Sequence, residues 1–312
     1  MSLNAAIIED FLREQCAEWP LAGRNFGALE GVEVRRVEMP GWTLKVQFNP
    51  ARIVSSGAKV DARSLAERPC FLCEANRPAE QRGLEWGDGR YTVLVNPFPI
   101  FPRHLTIPAT AHTPQRIKGR VADMLRLAGE LEGYTVFYNG PRCGASAPDH
   151  MHFQAGNSDF LTIAAALEDA ELQTVAENAE GGVLALCTAL PLNVFVIDAP
   201  TPEAGERLFD RLYAALPVPE GEEEPMLNIL AYRTPASLRL VVVPRKRHRP
   251  SFYGTEGEGC MLLSPASVDM GGAFITPRRE DFERVDASLL ERVFGELCLD
   301  NEEISSIAEN VR

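Results

Sequence analysis

The segment Asn139-Gly-Pro-Arg-Cys-Gly-Ala-Ser-Ala-Pro-Asp-His-Met-His-Phe-Gln154 concentrates the residues best suited to chemistry in this chain. Only five histidines occur in 312 residues, and two of them, His150 and His152, stand one residue apart here, with Gln154 two further on. On a strand alternate side chains share a face, so His150, His152 and Gln154 would look into one pocket while Met151 and Phe153 turn to an apolar side. An imidazole with a pKa of about 6.5 is largely neutral at pH 7 and can attack phosphorus without extensive tuning. Just upstream, Gly144-Ala145-Ser146 supplies a flexible turn whose backbone N–H groups and hydroxyl can cradle phosphate oxygens, with Asn139 close by. Two histidines so spaced also fit exposed side chains on a strand edge. The rarity of histidine, the clean polar face and the adjoining glycine–serine turn favour a functional pair, with His152 as the candidate nucleophile. Gln154 narrows the chemistry, because an amide can bond a phosphate oxygen but cannot serve as a general acid. It suits leaving groups that are already acidic phosphates; plain surface polarity is the alternative.

Two further clusters carry chemical potential. Cys70-Phe-Leu-Cys73 has the two-residue gap that lets two thiolates reach one zinc. A redox dithiol and simple packing are the competing readings, and no thioredoxin-like strand–helix context surrounds Pro69. The run Arg245-Lys246-Arg247-His248-Arg249 places four formal positive charges directly after a predicted strand. Arg245 and Lys246 could there attract a nucleotide or sugar phosphate; a solvated turn accounts for the run equally well.

The elements that must position these groups are those of a soluble α+β protein. With 45% hydrophobic and 24% charged residues the composition excludes disorder and coiled coil, and the length suits one large or two medium domains. A net charge of -13 argues against nucleic acid or an anionic membrane surface as a partner. No apolar run is long enough to span a bilayer and no signal-like start is seen, so a cytoplasmic location is expected, with the odd total of seven cysteines reduced. Periodicity predicts a helix over 4–18, strands either side of Pro40-Gly41-Trp42, strands at 91–96 and 104–108, and a helix from Pro114 to Leu131. Strands TVFYN and HMHFQ follow. The second half adds strands near 183–198, a helix near 202–215, strands MLNILAY and LRLVVVP, a short strand GAFIT and terminal helices, while VPEGEEEP (218–225) reads as a solvated loop. Mixed order without strict alternation favours an antiparallel sheet with flanking helices. An internal echo aligns RHLTIPATAHTP (103–114) with RLVVVPRKRHRP (239–250), and at the same offset YTVLV (91–95) with LNILA (227–231), which suggests two fused half-domains.

The segment GASAPDHMHFQ resembles the active-site strand of the histidine-triad superfamily, and its HxHxQ form resembles the nucleotidyltransferase branch, which includes sugar-phosphate uridylyltransferases and dinucleotide phosphorylases. NPFPIFPRHLTIP is similar to the strand pair that precedes that site. The likeness covers roughly 65–156 and, more weakly, 183–285; Asp149, between Pro148 and His150, departs from the uridylyltransferase motif and leaves the placement of Ser146 open. The resemblance implies two fused histidine-triad-like halves, 1–175 with the active strand and 176–312 degenerate, the latter without a histidine after 248. It implies a covalent nucleotidyl-His152, formed from a nucleoside diphosphate sugar or dinucleoside polyphosphate and resolved by inorganic or sugar phosphate, with a backbone carbonyl holding the attacking tautomer. It further implies a structural zinc on Cys70, Cys73, His112 and His150, the last bridging metal and active strand. A nucleotide hydrolase, and a catalytically silent nucleotide-binding or zinc-stabilised interaction protein, are the alternatives. Monomer and homodimer are both compatible.

Overall fold

A computed structural model describes residues 3–53, 62–254, 256–257 and 259–311. Helix α1 (Ala5–Glu18) buries Ile8, Phe11 and Leu12 along one stripe, and the Asn4 Oδ1 accepts from the Ile7 N–H at 3.0 Å to cap it. Helix α2 (Pro20–Gly27) follows with Pro20 in its first turn, where the missing N–H costs nothing. Strands β1 (Glu33–Met39) and β2 (Trp42–Phe48) then form a hairpin in which Met39 lies opposite Trp42.

Among the described residues the main sheet has ten strands, all antiparallel to their neighbours. In spatial order they are β3 (Gly83–Trp86), β4 (Tyr91–Val95), β5 (His104–Pro108), β7 (His152–Asn157), β6 (Tyr134–Asn139), β11 (Leu227–Arg233), β12 (Leu238–Pro244), β10 (Val194–Ala199), β9 (Val183–Cys187) and β8 (Gln173–Glu177). Helix α3 (Val121–Glu130) connects β5 to β6, and α4 (Pro202–Ala215) connects β10 to β11. The order β4-β5-α3-β6-β7 therefore recurs as β9-β10-α4-β11-β12, and the two runs meet where β6 pairs with β11. The sequence echo had instead aligned β4 and β5 with β11 and β12, hairpins that hold different places in the two runs. In that alignment the helix α3 after β5 has no counterpart following β12, because the matching helix, α4, precedes β11. Any buried antiparallel hairpin ending in proline gives a similar string, so local sequence does not distinguish them.

The sheet is buried on both faces. On one, α1, α3, α4 and α6 (Asn301–Val311) pack Phe11, Leu125, Phe209 and Ile304 against Ile107, Val136 and Phe153. On the other lie a smaller sheet and α5 (Ala287–Leu297), bringing Trp42, Val46, Phe274 and Phe294 over Phe137, Leu230 and Val241. The smaller sheet joins β1 and β2 to β13 (Ala273–Thr276), which runs parallel to β2, so a late segment of the chain completes a layer begun by the first fifty residues.

Two expectations need correction. The helix predicted from Pro114 begins only at Val121, because Gly119 adopts φ +73° and the stretch before it runs extended beside Pro148 and Met151. The acidic stretch 218–225 is solvated only in part: Glu224 is 5% exposed, accepting from the Ile117 N–H at 2.6 Å and the Tyr138 hydroxyl at 2.5 Å. Burial pushes its carboxyl up to about 7.

At Gly156 on β7 an added Cβ would sit 1.7 Å from the buried ring of Phe101. Gly156→Ala should lower stability by about 1–3 kcal/mol in denaturant titrations, as overpacking does elsewhere; an unchanged midpoint would mean that the ring is free to move aside.

Candidate active site

The strand read as HMHFQ opens two residues later than its sequence pattern suggests. β7 starts at His152, and His150 lies in the preceding bend. Met151, Phe153 and Ala155 enter the helical-side core, while Gln154 pairs across to Thr106 and Phe137 on the opposite face. Of the three polar residues expected on one face, 152 and 154 keep to the side of β7 opposite Met151 and Phe153, and His150 turns elsewhere.

His152 is 3% exposed and held on all sides of its backbone. Where β6 and β7 splay, the fully buried amide of Gln115 replaces the missing ladder. Its Oε1 accepts from the His152 N–H at 2.7 Å, and its Nε2 donates to the carbonyls of His152 and Asn139, each at 3.0 Å. The ring Nδ1 lies 2.8 Å from the carbonyl of His150. A carbonyl can only accept, so Nδ1 carries the proton and Nε2 keeps its lone pair. Burial pushes the ring down to about 4, which leaves it neutral at pH 7. A neutral imidazole with one fixed tautomer and an unprotonated Nε2 is the state a nucleophile requires.

His150 faces the cysteines. Its Nε2 is 2.7 Å from the carbonyl of Ala109, which fixes the proton there and leaves Nδ1 free. That nitrogen lies 3.3 Å from Cys70 Sγ and 3.5 Å from Cys73 Sγ, and His112 Nδ1 lies 3.2 Å from Cys73 Sγ. All four ligand atoms fall within 4.8 Å of one another. A tetrahedral zinc with bonds of about 2.0–2.3 Å would hold its ligands roughly 3.3–3.8 Å apart, so the donor set, spacing and tautomer suit such an ion. Asp149, the residue that departs from the uridylyltransferase pattern, pairs with Arg68 at 2.8 Å, and Arg68 stacks over Phe71 inside the CxxC loop. The extra residue thereby ties the cysteine loop to the turn before His150.

The remaining predicted residues separate into two groups. Asn139, Gly144 and Arg245 belong to one buried network: Asn228 Nδ2 donates to Asn139 Oδ1 at 3.1 Å and to the Cys143 carbonyl at 2.7 Å, and Arg245 donates to Asn228 Oδ1 at 2.6 Å. The Ser267 N–H also donates to Asn139 Oδ1, at 2.8 Å. Gly144 takes φ +99° with Ala266 so near that an added Cβ would come within 2.5 Å of that methyl. Ser146 is half-buried in the same turn. Lys246, by contrast, reaches Glu303 of α6 at 3.1 Å, Arg247 reaches Glu296, and Arg249 donates to Ser264; the basic run is spent on internal partners. A cleft lined by Gln115, Pro148, Arg142 and Glu222 lies beside the turn, and His152 is not among its lining residues.

Gln115, Glu224 and His104 were not singled out from sequence. Gln115 and Glu224 sit in no motif, and only the fold brings Gln115 to His152 of β7 and Glu224 to Tyr138 of β6. His104 had a signal, as one of five histidines on a predicted strand.

A family model described as a domain of unknown function (DUF4922) matches residues 11–157. Diadenosine 5',5'''-P1,P4-tetraphosphate phosphorylase 2 of Saccharomyces cerevisiae is 29% identical over 166 residues, covering 47% of this chain and 50% of the yeast protein. The match thus spans about half the length of that curated relative. The crystal structure of yeast Ap4A phosphorylase Apa2 superposes over 96% of each chain with a TM-score of 0.57 at 18% identity. Its complex with AMP gives 0.60 at 19% identity over 96% of this chain and 97% of the yeast one. Its complex with Ap4A gives 0.57 at 22% over 91% and 97%. The antiparallel α+β fold is thereby that of yeast Ap4A phosphorylase Apa2, and in sequence as well the chain is related to a yeast Ap4A phosphorylase.

Proposed function

We propose that this chain is a phosphorylase-type nucleotidyltransferase that splits a dinucleoside polyphosphate with inorganic phosphate through a nucleotidyl-His152. The observation that carries the reading is the tautomer lock: the Nδ1–H of His152 is committed to the His150 carbonyl, which leaves Nε2 as an uncharged donor of an electron pair. Nε2 attacks the α-phosphorus, a P–N bond forms, and the P–O bond to the leaving polyphosphate breaks with its electrons on that oxygen. A phosphate oxygen then attacks the same phosphorus, the P–N bond breaks, and a nucleoside diphosphate leaves. The imidazolium character that develops in the first step is stabilised by the same carbonyl. The leaving group is already an acidic phosphate, so an amide at Gln154 suffices where an amine leaving group would need an acid.

The similarity to a yeast diadenosine tetraphosphate phosphorylase favours dinucleoside polyphosphates over nucleotide sugars, and the yeast enzyme's complex with Ap4A makes that compound the first substrate to test. Cys70, Cys73, His112 and His150 would hold a zinc whose part is positional, since it would anchor the residue that supplies the tautomer-fixing carbonyl. The turn at Gly144 and Ser146 would cradle phosphate, and Asn139 and Arg245 would stiffen it. The recurring strand order supports reading 1–175 and 176–312 as two related halves, with the nucleophile in the first alone.

Incubation with Ap4A and inorganic phosphate should release ADP and ATP. Brief exposure to Ap4A labelled at the α-phosphate should leave acid-labile label on the protein, while His152→Ala keeps its thermal midpoint and loses both signals, with a rate reduced at least about 10³-fold. Release of nucleotides at the same rate without phosphate would identify a hydrolase, and no turnover in the presence of binding would identify a binding protein. Metal analysis should find close to one equivalent of zinc per chain, and Cys70→Ser should lower both that content and the thermal midpoint. A full zinc complement in Cys70→Ser would rule out the four-residue site.

A further inference from the structure

His104 lies on β5, which pairs directly with the active strand, and it is completely buried. Its Nδ1 accepts from the Ile100 N–H at 3.2 Å, so the ring proton must be on Nε2. Nε2 lies 2.9 Å from Gln154 Oε1, which receives that proton. A second donor, Asn96 Nδ2, stands 3.5 Å from the same oxygen and is itself held by Thr106 Oγ1 at 2.9 Å. The ring cannot swing away, because Phe101 packs over it at 4.7 Å between centroids and Phe137 at 6.1 Å. With its oxygen occupied, the amide of Gln154 can present only its NH2 group outward, and among the described residues nothing accepts from that nitrogen.

We propose that His104 is a positioning residue for the reaction, locking the flip of the Gln154 amide so that residue 154 is a hydrogen-bond donor to the phosphoryl group and never an acceptor. The inference rests on the phosphorylase reading and extends it. A flipped amide would aim a carbonyl oxygen at phosphate oxygens and repel them; the locked one meets the negative charge that grows on the phosphoryl oxygens as Nε2 of His152 attacks. The donor-only amide is also unable to take a proton from water, which fits a phosphate acceptor better than hydrolysis. Burial keeps the His104 ring near a pKa of about 3, so it remains neutral with a single proton to commit. The sheet provides this device through register alone, since Thr106 faces Gln154 and places His104 two residues along on the same side.

The test is a double-mutant cycle on Ap4A phosphorolysis, accompanied by AMP affinity and thermal midpoints. Gln154→Ala should lower kcat about 100-fold and His104→Ala about 10-fold with little change in KM, while the double variant should be no slower than Gln154→Ala. His104→Gln, whose amide nitrogen can take the place of the ring donor, should recover most of the rate. Losses that multiply in the double variant, or a folded His104→Gln as slow as His104→Ala, would overturn the proposal. Should His104→Ala not fold, Asn96→Ala serves instead, with about a 2- to 3-fold loss expected in the parent and none in Gln154→Ala. A parent that binds AMP without phosphorolysis would sink the functional reading alone. The cycle is then read on AMP affinity, where non-additive weakening supports the lock and additive weakening refutes it.

Discussion

One residue couples the two chemical centres of this molecule. The ring of His150 turns to Cys70 and Cys73, held there by the carbonyl of Ala109, while its own carbonyl receives the Nδ1–H of His152. Both imidazoles are thus assigned their tautomers by backbone carbonyls, and the two assignments are linked through a single peptide. Each such bond is worth only about 1 kcal/mol net. Their importance lies in direction, since a proton on the other nitrogen of either ring would remove the lone pair that faces the cysteines in one case and the lone pair on Nε2 of His152 in the other.

The backbone that carries this arrangement is supported from both halves of the chain. Gln115 fills the gap where β6 and β7 diverge, and Gln115 belongs to a segment whose next turn is anchored through the Ile117 N–H to Glu224 of the second half. On the other side of the turn, Ser267 and Asn228 meet Asn139, and Ala266 sits against Gly144. The second half therefore contributes walls and braces to a candidate site whose histidines come from the first. His248 is the one histidine beyond residue 176, and the bracing from that half is done by amides, a carboxylate and a buried arginine.

Much of this was legible beforehand, element by element. Strands buried on both faces appear as short apolar runs, so YTVLV, HLTIP, TVFYN and LRLVVVP announced themselves. Asn4 and the apolar stripe marked α1, and Pro40-Gly41 marked the first hairpin. The errors share a cause. Pro114, Ile117 and Val121 have helical spacing, but the backbone of 114–120 is more valuable bonding to Pro148 and Glu224 than to itself. His150 has strand spacing relative to His152, yet the bend before β7 gives its ring to the cysteines. The echo paired hairpins of like composition because strings carry no information about neighbours in a sheet.

Composition and periodicity pointed to the α+β class, and spacing alone to the Cys70–Cys73 pair and the His150/His152/Gln154 alternation, because these depend on which side chains occur and at what interval; the joining of His112 and His150 to the cysteines came only from the family resemblance. Tertiary structure alone decided that His104 faces the oxygen of Gln154, that Gln115 clamps His152, and that an acidic loop is tied down by Glu224. Those contacts join residues 37 to 86 positions apart, and a distance of that kind is set by sheet register and by the need to pair every buried polar group, neither of which is written in any local stretch of sequence.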